Sequence, residues 1–103
     1  MLPMIDSRND ALIEMCRRHR VQRLSVFGSA AGDRFDPETS DLDFLVEFQL
    51  LPPKEHADSY FGLLEELEET FRIPVDLIEA GPIRNPYFKQ TVDETRITLY
   101  EIR

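Results

Sequence analysis

Two acidic residues two positions apart are the first feature of this sequence that can do chemistry. Asp41 and Asp43 begin a segment, residues 41–48, in which every second residue is apolar, as in a β-strand with one apolar face. Side chains two apart on a strand leave the same face, which places these Cα atoms roughly 6.5–7 Å apart. Carboxylates about 6 Å apart repel by roughly 2–3 kcal/mol at an effective dielectric near 20, a cost that a divalent cation removes. The pair alone is a weak indication of a metal, because exposed strand ends often carry two acids.

A glycine and a serine upstream could hold a phosphate. Gly28 and Ser29 follow Val21–Phe27, a predicted strand rich in Val, Leu and Phe. Glycine lets a ligand approach the backbone closely, and the N-terminus of a following short helix presents N–H groups and partial positive charge. Gly-Ser is also a common turn by itself. A phosphate cradle that faces a metal-binding strand is far less common than either part.

The spacing of these parts resembles a known family. Gly28-Ser29, eleven intervening residues and then Asp41-Leu42-Asp43 resemble the signature of the DNA polymerase β-like nucleotidyltransferase superfamily. The resemblance is strongest to its minimal members, the MNT antitoxins that are paired with HEPN toxins. It extends over nearly the whole chain, including residues 85–88 and 99–101.

The resemblance implies a role for each of these residues. Gly28 and Ser29 would hold the triphosphate, and Asp41 and Asp43 would bind two catalytic Mg²⁺ ions. The family has a third carboxylate on a later strand, and Asp76, in Val75-Asp76-Leu77-Ile78, fits that place. Asp76 would hold the Mg²⁺ ion beside the acceptor hydroxyl and help that hydroxyl lose its proton. Many relatives carry an arginine soon after Gly-Ser; here Arg34 would supply that charge from a shifted position. Independently of the family, an acid among apolar residues needs a partner or water, and an alternating edge strand explains Asp76 equally well.

The function implied by the resemblance is enzymatic. We expect a Mg²⁺-dependent nucleotidyltransferase that moves AMP from ATP to a tyrosine hydroxyl of a HEPN toxin and so acts as an antitoxin. A second hypothesis is an antitoxin that binds and masks its toxin, its acidic surface docking on a basic partner. A third and weaker one is a small-molecule nucleotidyltransferase subunit of the aminoglycoside-modifying kind.

The elements that must position these residues follow from periodicity and turn residues. Strands are predicted at 21–27, 41–48, 73–79 and 96–102. Helices are predicted from an N-cap at Ser7 through His19, across Tyr60–Phe71, and from Asn85 through Glu94, with a short helical turn between the first two strands. Pro74 favours either an edge position or the start of the third strand. This order predicts a single α/β (α+β) domain, residues 1–103, with helices packed on a mixed sheet and the polymerase β-like palm fold that the resemblance implies.

Length, charge and composition restrict the class of protein. A chain of 103 residues has room for one modest core, so we expect the acceptor hydroxyl to come from a partner protein. The net charge of −8 disfavours a grip on long nucleic acid, which depends on Lys and Arg. One cysteine, no apolar run of roughly 20 residues and no signal-like start predict a cytoplasmic protein without a membrane span. The oligomeric state, homo- or hetero-, is left open.

Two charged clusters have ordinary explanations. The basic residues 17–20 and 23 lie at the predicted end of the first helix, where cations suit the helix dipole, and a phosphate or acidic-partner contact is the alternative. Glu65, Glu66, Glu68 and Glu69 are predicted to form the solvated face of the second long helix.

Overall fold

The structure is a computed structural model that describes residues 3–28, 36, 41–79 and 86–102. Its centre is one mixed sheet. Its strands are β1 (Val21–Phe27), β2 (Leu42–Phe48), β3 (Val75–Glu79) and β4 (Ile97–Glu101), in the spatial order β3-β2-β1-β4. β1 pairs antiparallel with both β2 and β4, whereas β2 and β3 are parallel. All four predicted strands are confirmed to within two residues. β3 is an edge strand, one of the two alternatives that Pro74 favours.

Helices connect or precede these strands. In the described residues they are α1 (Pro3–Asp6), α2 (Asn9–Arg18), α3 (Pro53–Phe71) and α4 (Pro86–Thr95). α3 starts directly after Pro52, with Pro53 in its first turn, where the missing N–H of proline costs no helical hydrogen bond. The predicted helical turn between β1 and β2 and the predicted cap Asn85 lie outside the described residues. Nowhere in the ranges above does a helix have both the length and the apolar character that a bilayer span requires.

The predicted N-cap at Ser7 is wrong. The chain first forms α1, and Ser7 lies in the turn that follows it, where the amide of Arg8 donates to the carbonyl of Ile5. α2 therefore starts one residue later than predicted, with Arg8 at the N-cap position and no side-chain cap bond. Ser7 lies in a turn between two helices. The periodicity of one sequence does not distinguish a serine in such a turn from a serine at a helix N-cap.

Both faces of the sheet are partly covered. The larger core joins α2 and α3 to one face; its fully buried members include Leu12, Cys16, Leu24, Phe44, Leu63 and Leu67. On the opposite face, Phe27 and Leu45 pack with Val92 of α4, and Ile78 and Phe88 complete that smaller cluster. The α/β prediction, helices packed on a mixed sheet, is confirmed. Alternate residues of a strand point to the same face, so Asp41 and Asp43 point to the face of Leu45. Because Leu45 packs against α4, this is the face that α4 covers.

Glu66 differs from the other glutamates of α3. Glu65, Glu68 and Glu69 are exposed, as predicted, but Glu66 is half-buried and accepts two bonds from Arg18 Nη2, at 2.9 and 3.0 Å. His19 Nε2 lies 3.0 Å from the same carboxylate. The prediction of a wholly solvated acidic face is therefore wrong at this position, because α3 packs against the end of α2.

The other members of the basic cluster also lie near acids of this chain. Arg17 pairs with Glu14 at 3.3 Å, Arg20 with Glu55 at 3.6 Å, and Arg23 with Glu101 at 3.6 Å. These contacts favour the structural explanation of the cluster.

Candidate active site

The three acids singled out in the sequence lie at one end of the sheet. β2 and β3 run parallel, and Asp43 is paired in register with Asp76. Neighbouring strands are roughly 4.8 Å apart, and residues in register point to the same side of a sheet, so these two carboxylates leave it side by side. Asp41 directly precedes β2 and is exposed, as is Asp76, whereas Asp43 is half-buried. The fold therefore brings Asp76 to Asp43 across 33 residues of chain.

The electrostatics of the group centre on Asp43. Burial raises the pKa of the Asp43 carboxyl above its ordinary value, and the negative charges of Asp76 and then Asp41 raise it further. Each of these causes disfavours the ionised form. A positive ion between the strands would reverse the effect of the two neighbouring charges.

Gly28 lies directly against this group. Phe27, the last residue of β1, is paired with Asp43, so the next residue along the chain reaches the carboxylate. Gly28 has φ of +69°, and a Cβ there would stand 2.9 Å from Oδ2 of Asp43. A left-handed backbone and a close side-chain neighbour both require glycine at this position. The close approach that the sequence assigned to a ligand is, in this structure, an approach by Asp43.

Thr95, which sequence reasoning missed, contacts the same glycine. The amide of Gly28 donates to Oγ1 of Thr95, the last residue of α4, at 2.9 Å. No local pattern marks Thr95, because a threonine at a helix end is common and its partner is 67 residues away.

Tyr60 is a second residue that the sequence did not indicate. Its hydroxyl, on α3, donates to the carbonyl of Leu77 at 2.7 Å and so ties the edge strand β3 to the helix. Burial, then the charges of Glu79 and Asp76, raise the pKa of the Tyr60 hydroxyl above its ordinary value, so the hydroxyl stays protonated to still higher pH. This bond helps to hold Asp76 beside Asp43.

Two predicted site residues cannot be placed. Ser29 and Arg34 lie outside the described residues, as does most of the segment between Gly28 and Asp41. Their assignment to a triphosphate remains a prediction.

The donors present suit a hard divalent cation. All three candidate ligands are carboxylates, the oxygen donors that Mg²⁺ prefers, and their mutual repulsion at Asp43 is a cost that a cation removes. Among the side chains that the structure describes, no three His, Cys, Asp or Glu are already gathered closely enough to enclose an ion. The residues therefore fit a magnesium site that is shared with a substrate phosphate better than a closed protein cage.

Comparison with known proteins identifies the family of this chain. The family model described as "Nucleotidyltransferase domain" matches residues 9–99. The putative protein adenylyltransferase MJ0128 of Methanocaldococcus jannaschii is 36% identical over 80 residues, which are 78% of this chain and 78% of that protein.

Two solved structures share the fold. One is a putative minimal nucleotidyltransferase, with 30% identity, a TM-score of 0.64 and 90% of each chain covered. The other comes from a complex described as the tri-AMPylated Shewanella oneidensis HEPN toxin with MNT antitoxin. Its TM-score is 0.61 at 18% identity, over 94% of this chain and 72% of that one.

Proposed function

This chain belongs to the nucleotidyltransferase domain family, and we propose that within it the chain moves AMP from ATP to a hydroxyl of a partner protein. The observation that carries the proposal is the pairing of Asp43 with Asp76 in register, directly against Gly28. This arrangement places a candidate metal site next to a candidate phosphate site. The similarity to a protein adenylyltransferase supports AMP as the transferred group.

In this proposal, each site residue has a role that follows from its position. Gly28 and Ser29 hold the triphosphate, with Arg34 as a further positive charge. Asp41 and Asp43, of which Asp43 is half-buried, would hold Mg²⁺ at the α-phosphate end of the nucleotide. Asp76, exposed on the edge strand, faces the side from which an acceptor can approach and orients its hydroxyl.

The proposed reaction is a single displacement at phosphorus. The acceptor oxygen forms a bond to the α-phosphorus of ATP, the bond from that phosphorus to the bridging oxygen of the β-phosphate breaks, and pyrophosphate leaves. The hydroxyl proton passes to solvent. Mg²⁺, when bound, favours ionisation of the attacking hydroxyl and neutralises the charge of the leaving group.

We propose that the partner is a HEPN-family toxin and that a tyrosine of it is the acceptor, so the chain acts as an antitoxin. The support is the fold shared with the MNT antitoxin of a tri-AMPylated HEPN toxin complex. Among the described residues, Asp76 is exposed on the edge strand β3, which is compatible with an acceptor as large as a protein.

A masking antitoxin is the second candidate, and one surface favours it. The outer side of α3 presents Phe61, which is 65% exposed, in a groove that is also lined by Leu64, by three acids and by one arginine: Glu65, Glu68, Glu69 and Arg72. An exposed aromatic residue with an acidic rim suits a basic partner. This surface could bind a toxin without any transfer.

Label transfer tests the proposal. The chain is incubated with ATP labelled at the α-phosphate, Mg²⁺ and a purified HEPN-family protein, and that protein is then analysed by mass spectrometry. We expect an added AMP on a tyrosine, loss of labelling when that tyrosine is changed to phenylalanine, and no labelling with EDTA. Neutralisation of the toxin without any label would favour masking.

A further inference from the structure

The end of β1 is held by both ends of α4 through contacts that the proposed reaction does not use. Phe88 packs edge-on against Phe27, with ring centroids 5.7 Å apart and planes at 82°. One residue further along β1, the amide of Gly28 donates to Oγ1 of Thr95 at 2.9 Å. α4 therefore contacts the candidate phosphate motif by packing and by one directed hydrogen bond.

The Thr95 hydroxyl is oriented to accept. A hydroxyl has one proton to donate, and that of Thr95 goes to the carbonyl of Thr91 at 2.6 Å, within the same helix. Its lone pairs are then left for the amide of Gly28. The two bonds form a chain from the backbone of α4 through one side chain to the backbone of Gly28.

Gly28 is consequently restrained on two sides. Thr95 holds its amide, and Oδ2 of Asp43 lies 2.9 Å from the position that a Cβ would take. If the amide is released, the left-handed conformation at φ +69° loses a restraint, and the position of Gly28 relative to Asp43 is less well defined.

We propose that Thr95 is a positioning residue, whose hydroxyl fixes Gly28, and with it the start of the Gly28-Ser29 motif, relative to Asp43. This inference rests on the proposed function, because it assumes that the motif holds the triphosphate. It also implies that the amide of Gly28 is not itself a phosphate donor. Gly28 then contributes to the motif through its backbone conformation.

The test compares three variants of one helix. Thr95→Val removes the hydroxyl and keeps the shape, and Thr95→Ser restores the hydroxyl. Thr91→Val is the matched control, since its Oγ1 donates to the carbonyl of Tyr87 one turn earlier in α4 and makes no bond to Gly28.

We expect Thr95→Val to raise the KM for ATP, and the Kd of a non-hydrolysable ATP analogue with Mg²⁺, by about 10-fold. The expected change in kcat is below about threefold. Thr95→Ser and Thr91→Val should stay within about twofold of the wild type for all these constants. Thermal unfolding of each variant shows that it is folded.

Hydrogen exchange of the Gly28 amide gives a readout independent of nucleotide. The amide should exchange slowly in the wild type, Thr95→Ser and Thr91→Val, and at least about tenfold faster in Thr95→Val. Unchanged exchange and unchanged KM in Thr95→Val would overturn the inference. A fall in stability and kcat with no change in KM would also overturn it, in favour of a purely structural role.

The same measurements separate the two hypotheses. If the wild type neither binds ATP nor transfers label, the proposed function fails, and the positioning role for nucleotide fails with it. The exchange rates then report only on the bond between Thr95 and Gly28. If the wild type transfers AMP and Thr95→Val behaves like it, only the inference about Thr95 fails.

Discussion

The carboxylate of Asp43 lies so close to Gly28 that a Cβ on the glycine would be 2.9 Å from Oδ2. The two residues are 15 positions apart, and antiparallel pairing of β1 with β2 brings them together by placing Phe27 opposite Asp43. The candidate phosphate motif and the candidate metal strand are thus in direct contact. A substitution at either residue should therefore alter the position of the other.

Gly28→Ala should disturb stability and activity together. A non-glycine residue in the left-handed region costs about 1–2 kcal/mol, and the new Cβ also displaces the Asp43 carboxylate. We expect the free energy of unfolding to fall by at least about 1 kcal/mol and transfer to fall at least tenfold. In the Asp43→Ala background, which removes the clash, the same substitution should cost less. Equal costs in both backgrounds, measured by urea unfolding, would contradict this coupling.

Asp41→Asn and Asp43→Asn should each abolish measurable transfer. Without metal, each variant should be as stable as the wild type or slightly more stable, because a like-charge repulsion is removed. The effect should be larger at Asp43, whose folded-state pKa is raised. A raised carboxyl pKa means that the native state binds the proton more tightly than the unfolded state, so the ionised form costs stability at neutral pH. Urea unfolding with EDTA checks the sign, and near wild-type turnover in Mg²⁺ would exclude the proposed metal role.

Asp76→Ala should separate nucleotide binding from transfer. Most ATP·Mg²⁺ affinity should remain, while transfer falls by orders of magnitude, because Asp76 acts on the attacking hydroxyl. Glu79→Ala, which removes an exposed acid three residues along the same strand, is the matched control and should keep near wild-type transfer.

Rescue of cells from the toxin then distinguishes the two candidate functions. The enzymatic antitoxin predicts that Asp76→Ala fails to rescue and that Glu79→Ala rescues. Full rescue by a folded, catalytically dead Asp76→Ala would leave masking as the better account.

Glu66→Gln should destabilise the chain at neutral pH by about 1 kcal/mol, the range of a well-formed but partly exposed ion pair. Burial would raise the pKa of Glu66, but hydrogen bonds from Arg18 and His19 outweigh it and lower the pKa. A lowered carboxyl pKa gives stability that is present above the unfolded-state pKa and lost as pH falls through the folded-state value. The difference between variant and wild type should therefore disappear in acid. Glu65→Gln, an exposed neighbour, should have no effect at either pH.

Gly62→Ala tests the contact between α3 and the end of α2. Alanine is favoured over glycine in a helix by about 1 kcal/mol, but a Cβ on Gly62 would lie 2.7 Å from Cε1 of His19. We expect little or no gain in the wild type, and a gain of about 1 kcal/mol in the His19→Ala background. A full gain in both backgrounds, measured by urea unfolding, would show that the ring moves aside without cost.

Much of the site could be predicted because it depends on short stretches of chain. Alternation of apolar residues located β2, and the period of two placed Asp41 and Asp43 on one face. The position of Gly28 at the end of β1 followed from a strand that stops at a glycine. Pro74, which has no N–H to donate, indicated an edge strand or a strand start, and β3 lies at the edge.

What only the tertiary structure decided is how distant parts of the chain meet. The parallel register that sets Asp43 beside Asp76 depends on the crossover through α3, and the bond from Gly28 to Thr95 depends on where α4 packs. Glu66 was misjudged for the same reason, since helical periodicity shows which face is acidic but not which helix lies against it. Local periodicity is set by bond geometry within a few residues. Register and helix packing are set by the burial of apolar surface between segments far apart in sequence, which no short window of residues contains.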